Sequence, residues 1–334
     1  MKKYLLYILG LSVFIYLVIN MDFKSLLIFT KSISLDHILF LLSLQLVTIV
    51  LLGIQWKLII SWIKEDVKFY DALRVNLKGN IVDALSPGVK VGGELARIYE
   101  IRKILGMDLG EAILVVGLQK TLSITSFLIL VLFSLIWLYI TTAGSSYFKS
   151  LLFPIFTFII VLVSILFLFM RLKAERVKNL LDKIKIEEKK REKIYNGVKE
   201  YKDNMDRMLK DKTKFYFQLA LSVFIWLLFA IKFAILVKGY GVDMDFISVA
   251  AITYLTYIIG MIPFLPGGIG SFETSMVGLL ALKGVEIGQG VAISLVFRFI
   301  TFWFEFLISF LVLFFDRVLR YITMRKDRYV KDKN

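Results

Sequence analysis

A run of helix-breaking residues interrupts the apolar sequence between Phe246 and Leu282. The interruption, IPFLPGGIGSFE, occupies residues 262–273 and contains two prolines and three glycines. Proline removes a backbone donor and glycine loosens the backbone, so a continuous helix is disfavoured here. Irregular backbone at membrane depth is tolerated only where protein buries it or where it lines a polar cavity. The sequence therefore predicts a helical hairpin that enters the membrane without crossing it, beside a polar site.

A second segment, SPGVKVGGELAR at residues 86–97, has the same design. Both segments contain a Pro-Gly pair, and Glu94 in the first aligns with Glu273 in the second. Further along the chain, after a gap of one residue, Lys120 aligns with Arg298, 178 residues later. An apolar run also precedes each break at the same offset. We infer two copies of one unit, which consists of a spanning helix, a broken hairpin and a second spanning helix.

The composition places the chain in a membrane. Hydrophobic residues make up 58% of it and the mean hydropathy is +0.75, far above the values of soluble domains. The fold class is therefore an all-α polytopic membrane protein. The absence of cysteine excludes disulfides, thiolate metal sites and a cysteine nucleophile, and the single histidine, His37, argues against a histidine-based triad or a zinc site. No cofactor or metal is expected.

Charge is concentrated in two places. Residues 171–214 contain sixteen Lys/Arg against nine Asp/Glu, and residues 317–334 contain seven against two. Basic excess beside spanning helices marks the cytoplasmic side. The net charge of +15 therefore indicates membrane orientation, and no nucleic-acid motif accompanies it.

These signals predict a topology with six spans and both termini in the cytoplasm. The second hairpin then enters from the opposite side to the first, so the two units form an inverted repeat, an arrangement typical of secondary transporters. The predicted spans are Tyr4–Ile19, Ile38–Trp62, Ala112–Ile140, Phe153–Met170, Phe215–Val237 and Val291–Phe315. The predicted parts of this single domain are repeat one at about 35–140, a cytoplasmic charged segment at 171–214, repeat two at about 213–316 and a basic tail at 317–334.

Five charged residues lie in or beside the predicted spans. Lys120 and Arg298 are deep in apolar helices, where a charge costs at least ~2.5–3.5 kcal/mol and so requires a partner. Glu94 and Glu273 follow the two breaks and are candidate partners, and Glu305 lies seven residues after Arg298 on the same face of an α-helix. Two interpretations stay open. These residues are either structural ion pairs that lock the hairpins or a site in which the two cations bind an anionic headgroup.

Other residues extend the candidate site. Gly267, Gly268 and Gly270 would present backbone N–H donors suited to phosphate. Arg97, after the first hairpin, is a candidate for recruiting an anionic substrate, although an ordinary cytoplasmic charge is the simpler explanation.

Three further charges have simpler interpretations. Lys57 and Lys232 lie towards the ends of their helices, and we expect both to extend their ammonium groups to the membrane surface. Asp83 is a candidate partner for the basic residues of the first hairpin.

The two motifs, SPG…GGELAR and LPGGIGSFE followed by Arg298-Phe-Ile-Thr-Phe-Trp303, resemble the flippase-like integral membrane family, the lysylphosphatidylglycerol synthase transmembrane region. The resemblance covers nearly the whole chain. It departs from the family pattern at Gln119 and Lys120, where a Glu-Arg pair is expected. The resemblance implies translocation of lipids or lipid-linked groups between leaflets. The soluble aminoacyl transferase domain of the best-known members is not found before Asn334, so lipid lysylation by this chain alone is not expected.

The leading hypothesis is a flippase-like protein of the cell membrane that moves an anionic phospholipid or a polyprenyl-phosphate-linked precursor. One alternative is a secondary transporter of a small polar solute that uses the same charges. Another is a non-transporting scaffold that docks a cytoplasmic enzyme through its charged segment. An enzyme is the least expected outcome, because no nucleophile–base pair is evident. The lipid, the energy source and homo-oligomerisation stay open.

Overall fold

The computed structural model of this protein describes residues 33–85, 91–141, 187–260 and 270–331, with a few isolated positions between 157 and 182. These parts of the chain are helical throughout, with short connections. The helices are α1 (Leu35–Ile60), α2 (Phe69–Leu85), α3 (Val91–Leu105), α4 (Leu109–Thr141), α5 (Glu188–Lys210), α6 (Lys212–Gly239), α7 (Phe246–Gly260), α8 (Ser271–Ala281), α9 (Ile287–Arg298) and α10 (Phe304–Lys331). A π-helical segment, Phe299–Trp303, joins α9 to α10.

Within the described ranges, four helical stretches are long and apolar enough to cross a bilayer. They correspond to four of the six predicted spans and are Leu35–Ile60, Leu109–Trp137, Lys212–Gly239 and Ile287–Val318. The other two predictions, Tyr4–Ile19 and Phe153–Met170, lie outside the described residues apart from isolated positions in the second. The chain is thus a multi-pass helical membrane protein.

Two pairs of shorter helices occupy the places where the sequence predicts broken hairpins. In the first, α2 ends at Leu85 and α3 begins at Val91, and the two helices pack against each other. Gly93 brings them close, because its N–H donates to the Asp83 carboxylate over 3.0 Å and an added Cβ would lie 2.2 Å from that carboxylate. In the second pair, α7 and α8 pack together in the same way. The breaks themselves, at 86–90 and 261–269, lie outside the described residues.

Side-chain and backbone caps define several helix ends. Asp108 and Glu111 exchange hydrogen bonds of 2.7 and 2.9 Å with each other's backbone N–H groups at the start of α4, as expected for acidic residues at a helix N-terminus. Asp211 accepts from the Lys214 N–H at the start of α6. Both caps fix the entry of a long apolar helix.

The order of helix packing is the same in both halves. In the first half α1 contacts α2, α2 contacts α3, and α3 contacts α4; in the second half α6, α7, α8 and α9 follow the same order. Contacts between the halves are also paired, since α2 packs on α10 and α4 packs on α7.

The first helices of the two halves pack against each other in opposite directions. His37, near the start of α1, lies beside Gly239 at the end of α6. Farther along α1, Gln45 binds Lys232, which lies earlier in α6. This antiparallel packing is the relation that inverted units require.

Candidate functional site

The second hairpin holds its glutamate through a glycine turn. Gly270 has φ +84°, a conformation that favours glycine, and stands immediately before α8. Its N–H donates to Glu273 over 2.7 Å, which fixes that carboxylate at the helix N-terminus. The other carboxylate oxygen lies 3.5 Å from Nε of Arg298. The predicted pairing of Glu273 with Arg298 is confirmed.

Aromatic rings surround Arg298. Its guanidinium carbon lies 4.6 Å from the ring centroid of Phe272 and 4.4 Å from that of Phe302. Only 7% of the side chain is exposed. A planar guanidinium suits this position because it can stack on rings and bind a carboxylate at once. Arg298 therefore ties α9 to the second hairpin in a closed packing arrangement.

The corresponding pair in the first half is more open. Lys120 Nζ lies 2.8 Å from Oε1 of Glu94, and 39% of the lysine side chain is exposed. The predicted pairing of these two residues is also confirmed. Nη1 of Arg97 approaches the same carboxylate oxygen at 3.3 Å. Two cations thus converge on one carboxylate beside the break of the first hairpin.

Arg97 is held more firmly than a residue with only a surface role. It is largely buried, and its Nη1 lies 3.1 Å from the Asp83 carboxylate, which confirms Asp83 as a partner. Nη2 donates to the amide oxygen of Asn80 over 2.8 Å. Gly79 makes room for the guanidinium, because an added Cβ there would lie 2.2 Å from Nε of Arg97.

Glu305 belongs with the first hairpin. Its two carboxylate oxygens accept hydrogen bonds from Asn80 over 2.6 Å and from Gln45 over 3.0 Å. The prediction that Glu305 shares a face with Arg298 assumed an unbroken α-helix and is wrong in that respect. The π-helical segment between them has more residues per turn and rotates Glu305 by roughly a quarter turn.

Lys232 corrects a second expectation. It does not extend to the membrane surface, since none of its side chain is exposed. The ammonium group donates to Gln45 and, over 3.1 Å, to Thr48. It also lies 4.2 Å from the ring centroid of Phe229. Polar side chains on the neighbouring helix α1 therefore satisfy Lys232 inside the protein.

Together these contacts form one continuous chain of polar side chains through the membrane domain. We call it the polar chain; it consists of Lys232, Gln45, Glu305, Asn80, Arg97, Asp83, Glu94 and Lys120. Sequence reasoning missed the two amides that connect it, Gln45 and Asn80. The available signal was an unusual run of polar residues, including Thr48 and Gln55, in the otherwise apolar α1.

The predicted site residues fall into two groups. Glu94, Arg97, Lys120 and Glu305 lie on the polar chain. Gly270, Glu273 and Arg298 form the second group, and the described contacts give Lys120 and Arg298 different carboxylates. Gly267 and Gly268 lie outside the described residues.

Comparison with known proteins supports the sequence-based resemblance. Residues 5–309 match the family described as the lysylphosphatidylglycerol synthase transmembrane region.

Curated archaeal relatives match over most of their length. A UPF0104 membrane protein of Pyrococcus horikoshii is 23% identical over 96% of this chain and 98% of its own. A UPF0104 membrane protein of Methanothermobacter thermautotrophicus is 23% identical over 80% of this chain and 81% of its own. One from Methanocaldococcus jannaschii is 22% identical over the same shares.

Proposed function

The chain belongs to the lysylphosphatidylglycerol synthase transmembrane family, and on that premise we propose that it moves an anionic lipid between the leaflets of the cell membrane. The substrate class is an anionic phospholipid or a polyprenyl-phosphate-linked precursor. The chain would act as a transporter and not as an enzyme. Both termini would lie in the cytoplasm, as the basic segments 171–214 and 317–334 favour.

One observation carries this proposal. In each half, a carboxylate beside a broken hairpin is paired with a cation on the following long helix, but the two pairs differ in access. Lys120 is 39% exposed and Arg298 is 7% exposed. Such a difference in access between equivalent ion pairs fits one state of an alternating-access transporter, in which one repeat rocks against the other around a site at their interface. The antiparallel packing of α1 and α6 supports that repeat.

The residues then have distinct roles. Lys120 and Arg97 bind the anionic headgroup in the state described, because they converge on one carboxylate and Lys120 is accessible. Glu94 pairs with them when no headgroup is bound. Rocking of one repeat against the other would open the pair of Glu273 and Arg298 and close the first pair. The glycines of the second break, Gly267, Gly268 and Gly270, would then present N–H donors to the headgroup.

Reconstituted vesicles test this function. Fluorescent phosphatidylglycerol and fluorescent phosphatidylcholine would be incorporated separately, and movement between leaflets measured by chemical quenching of the outer leaflet. We expect faster movement of the anionic lipid, and a loss of that gain in Lys120→Ala. The matched control Lys57→Ala also removes one lysine charge, in the last turn of α1. It should retain the faster movement of the anionic lipid.

Other outcomes would favour the alternatives. The proposal would be overturned if the protein moved none of four lipids: phosphatidylglycerol, phosphatidic acid, cardiolipin and a polyprenyl phosphate. Uptake of a small polar solute under an ion gradient would then support the secondary transporter. Silent Lys120→Ala and Arg298→Ala variants, with activity dependent on residues 171–214, would support the scaffold.

A further inference from the structure

Glu305 occupies the centre of an arrangement with two similar arms. In one arm, Gln45 donates its amide N–H to Glu305 and accepts from Lys232 through its amide oxygen. In the other arm, Asn80 donates to Glu305 and accepts from Arg97. Each neutral amide thus connects a buried cation to the same carboxylate.

The direction of both amides is fixed by chemistry. Lysine and arginine can only donate hydrogen bonds, and an ionised carboxylate can only accept them. Each amide must therefore turn its oxygen to the cation and its NH2 group to Glu305. A reversed Asn80 would place donor against donor at Arg97 and acceptor against acceptor at Glu305. The geometry is thus matched to the ionised form of Glu305.

Protonation changes this balance. A protonated Glu305 has one oxygen that carries hydrogen, and this oxygen faces an NH2 group in either arm. The charge-assisted hydrogen bonds to the carboxylate are also lost, and these are roughly twice as strong as neutral ones. One arm is then favoured to reorient, which weakens the hold of Gln45 on Lys232 or that of Asn80 on Arg97.

The charge count gives protonation a further consequence. The polar chain contains three cations, Lys232, Arg97 and Lys120, and three carboxylates, Asp83, Glu94 and Glu305. It is therefore neutral when all are ionised. One proton on Glu305 leaves a net charge of +1, which matches the single negative charge of a phosphodiester.

We infer that Glu305 is a proton-binding site that couples proton uptake to binding of the anionic headgroup at Arg97 and Lys120. This inference rests on the proposed function and deepens it by naming the coupling ion. A proton moves from the aqueous phase to a carboxylate oxygen of Glu305, and no other covalent bond forms or breaks. The proposal assigns the reorientation to the arm formed by Asn80, on α2, and Arg97, on α3, because this arm leads to the first hairpin.

The surroundings of Glu305 include other ionisable groups. Lys232 on α6 and the Tyr257 hydroxyl on α7 lie within electrostatic reach of it, and Arg97 on α3 is one amide away. Farther along α10, Asp316 pairs with Arg74 of α2 over 3.1 Å. The test must therefore separate Glu305 from these neighbours.

Infrared difference spectroscopy on the purified full-length protein tests proton binding without any transport. The difference between the spectra at low and at neutral pH should contain a carboxylic-acid band, and this band should be lost in Glu305→Gln. Asp316→Asn is the matched control and should keep that band. Retention of the full band in Glu305→Gln would overturn the inference, even if lipid movement is confirmed.

A distance measurement tests the coupling. The natural chain has no cysteine, so spin labels can be placed at Tyr99→Cys on α3 and Phe315→Cys on α10, both exposed positions. We expect the distance between the labels to shift with pH in this background. Glu305→Gln should hold the low-pH distance at every pH, and Asn80→Leu should keep the infrared band while losing the shift.

The two readouts make failures distinguishable. A pH-dependent distance that persists unchanged in both variants would contradict the coupling. If these results hold but vesicles show no lipid movement, the proposed function fails and the proton site stands.

Discussion

The two hairpin ion pairs hold equivalent positions and differ in almost every physical property. In the first half, Glu94 binds a flexible lysine, Lys120, that is partly open to its surroundings. In the second half, Glu273 is fixed by a glycine turn and binds Arg298, which two aromatic rings enclose. Lys120 can leave Glu94 and bind a ligand with little rearrangement of the protein. The second pair must first be unpacked.

The same contrast extends to the helices beside the hairpins. Gln119 donates to Gln55 over 3.2 Å where α4 meets α1. The residues 178 positions later are Phe297 and Phe233, whose ring centroids lie 4.9 Å apart. The same helix–helix contact therefore occurs in both halves, formed by two amides in the first half and by two aromatic rings in the second. Gln119, which departs from the expected Glu-Arg pair, is therefore a member of a neutral polar contact in this chain.

Contacts between the halves follow this pattern too. Asn80 of α2 binds Glu305 of α10, whereas the residue equivalent to Glu305 is Phe127 of α4, which packs edge-on against Tyr254 of α7 at 5.9 Å. Equivalent helices thus pack against each other in both halves, but the side chains at each contact differ in polarity. In the proposed function, the polar groups of the first half would serve binding and the aromatic packing of the second half would serve closure.

Removal of the cation from each ion pair should give the largest difference in stability between the two halves. Arg298→Ala is expected to lower the free energy of unfolding by about 3–5 kcal/mol, because it leaves the Glu273 charge without its buried partner. Lys120→Ala should lower it by only about 1 kcal/mol, the value of one hydrogen bond, because Glu94 keeps Arg97 as a second cationic partner at 3.3 Å. Unfolding in mixed micelles measures both changes. Equal losses would contradict the contrast between the two pairs.

Glycine substitutions offer a second comparison. Gly79→Ala should destabilise the protein by about 1–3 kcal/mol, because the new methyl group overlaps Arg97 and overpacks the first hairpin. Gly278→Ala in α8 meets no atom within 4 Å and should stabilise it by about 0.5–1 kcal/mol through helix propensity. The same unfolding assay measures both signs. A stabilising Gly79→Ala would show that Arg97 is not confined as described.

Double-mutant cycles test the duplicated contact. Leucine substitutions at Gln55 and Gln119 should give a favourable coupling energy of about 1 kcal/mol, as for a buried hydrogen bond in a membrane protein. Leucine substitutions at Phe233 and Phe297 should give about 0.5–1.5 kcal/mol, as for an aromatic pair. Zero coupling in either half would remove the support for equivalent contacts.

The smallest expected effect concerns α5, the helix that packs on α4 and α6. The Tyr201 hydroxyl of α5 lies 2.8 Å from the Thr121 hydroxyl of α4, whereas the equivalent residue in the second half, Phe299, is exposed. Tyr201→Phe should cost about 0.5–1 kcal/mol, the value of one hydrogen bond. Unfolding at neutral pH measures this loss, and no change would show that the contact does not hold α5.

The same tyrosine predicts a pH dependence. Burial raises the pKa of Tyr201, while its hydrogen bond with Thr121 lowers that pKa by a smaller amount. The stabilisation is therefore complete below about pH 10, the usual tyrosine pKa, and is lost as pH rises through the higher pKa of the folded state. Unfolding measured from about pH 8 to about pH 11 should show a shallower decline in Tyr201→Phe. Identical slopes would contradict the assignment.

Much of this arrangement could be predicted because the membrane makes local signals strong. Proline and glycine interrupt an apolar run conspicuously, and the helices that the structure describes end at Leu85 and Gly260 and begin again at Val91 and Ser271, on either side of the two predicted breaks. An intramembrane charge requires a partner, which made Glu94 and Glu273 the candidate partners of Lys120 and Arg298, and the structure shows which glutamate binds which cation.

What the sequence concealed depends on contacts between the halves. Gln45 and Asn80 are neutral and lie far apart in the chain, and only the folded arrangement places both beside Glu305. The expectation that Lys232 extends to the membrane surface is wrong for the same reason, because its partners Gln45 and Thr48 lie on another helix, α1. The π-helical segment at 299–303 has no marker such as proline, and it changes the direction of Glu305 without changing the hydrophobic pattern.

Mass spectrometry of lipids retained by the purified protein tests the central claim most directly, which is that the first half contains an anionic headgroup site. Wild type, Lys120→Ala and the matched control Lys57→Ala would be purified in the same detergent. We predict an anionic lipid in wild type and Lys57→Ala and its loss in Lys120→Ala. The same bulk lipids in all three proteins would contradict the account and leave the charges as structural ion pairs.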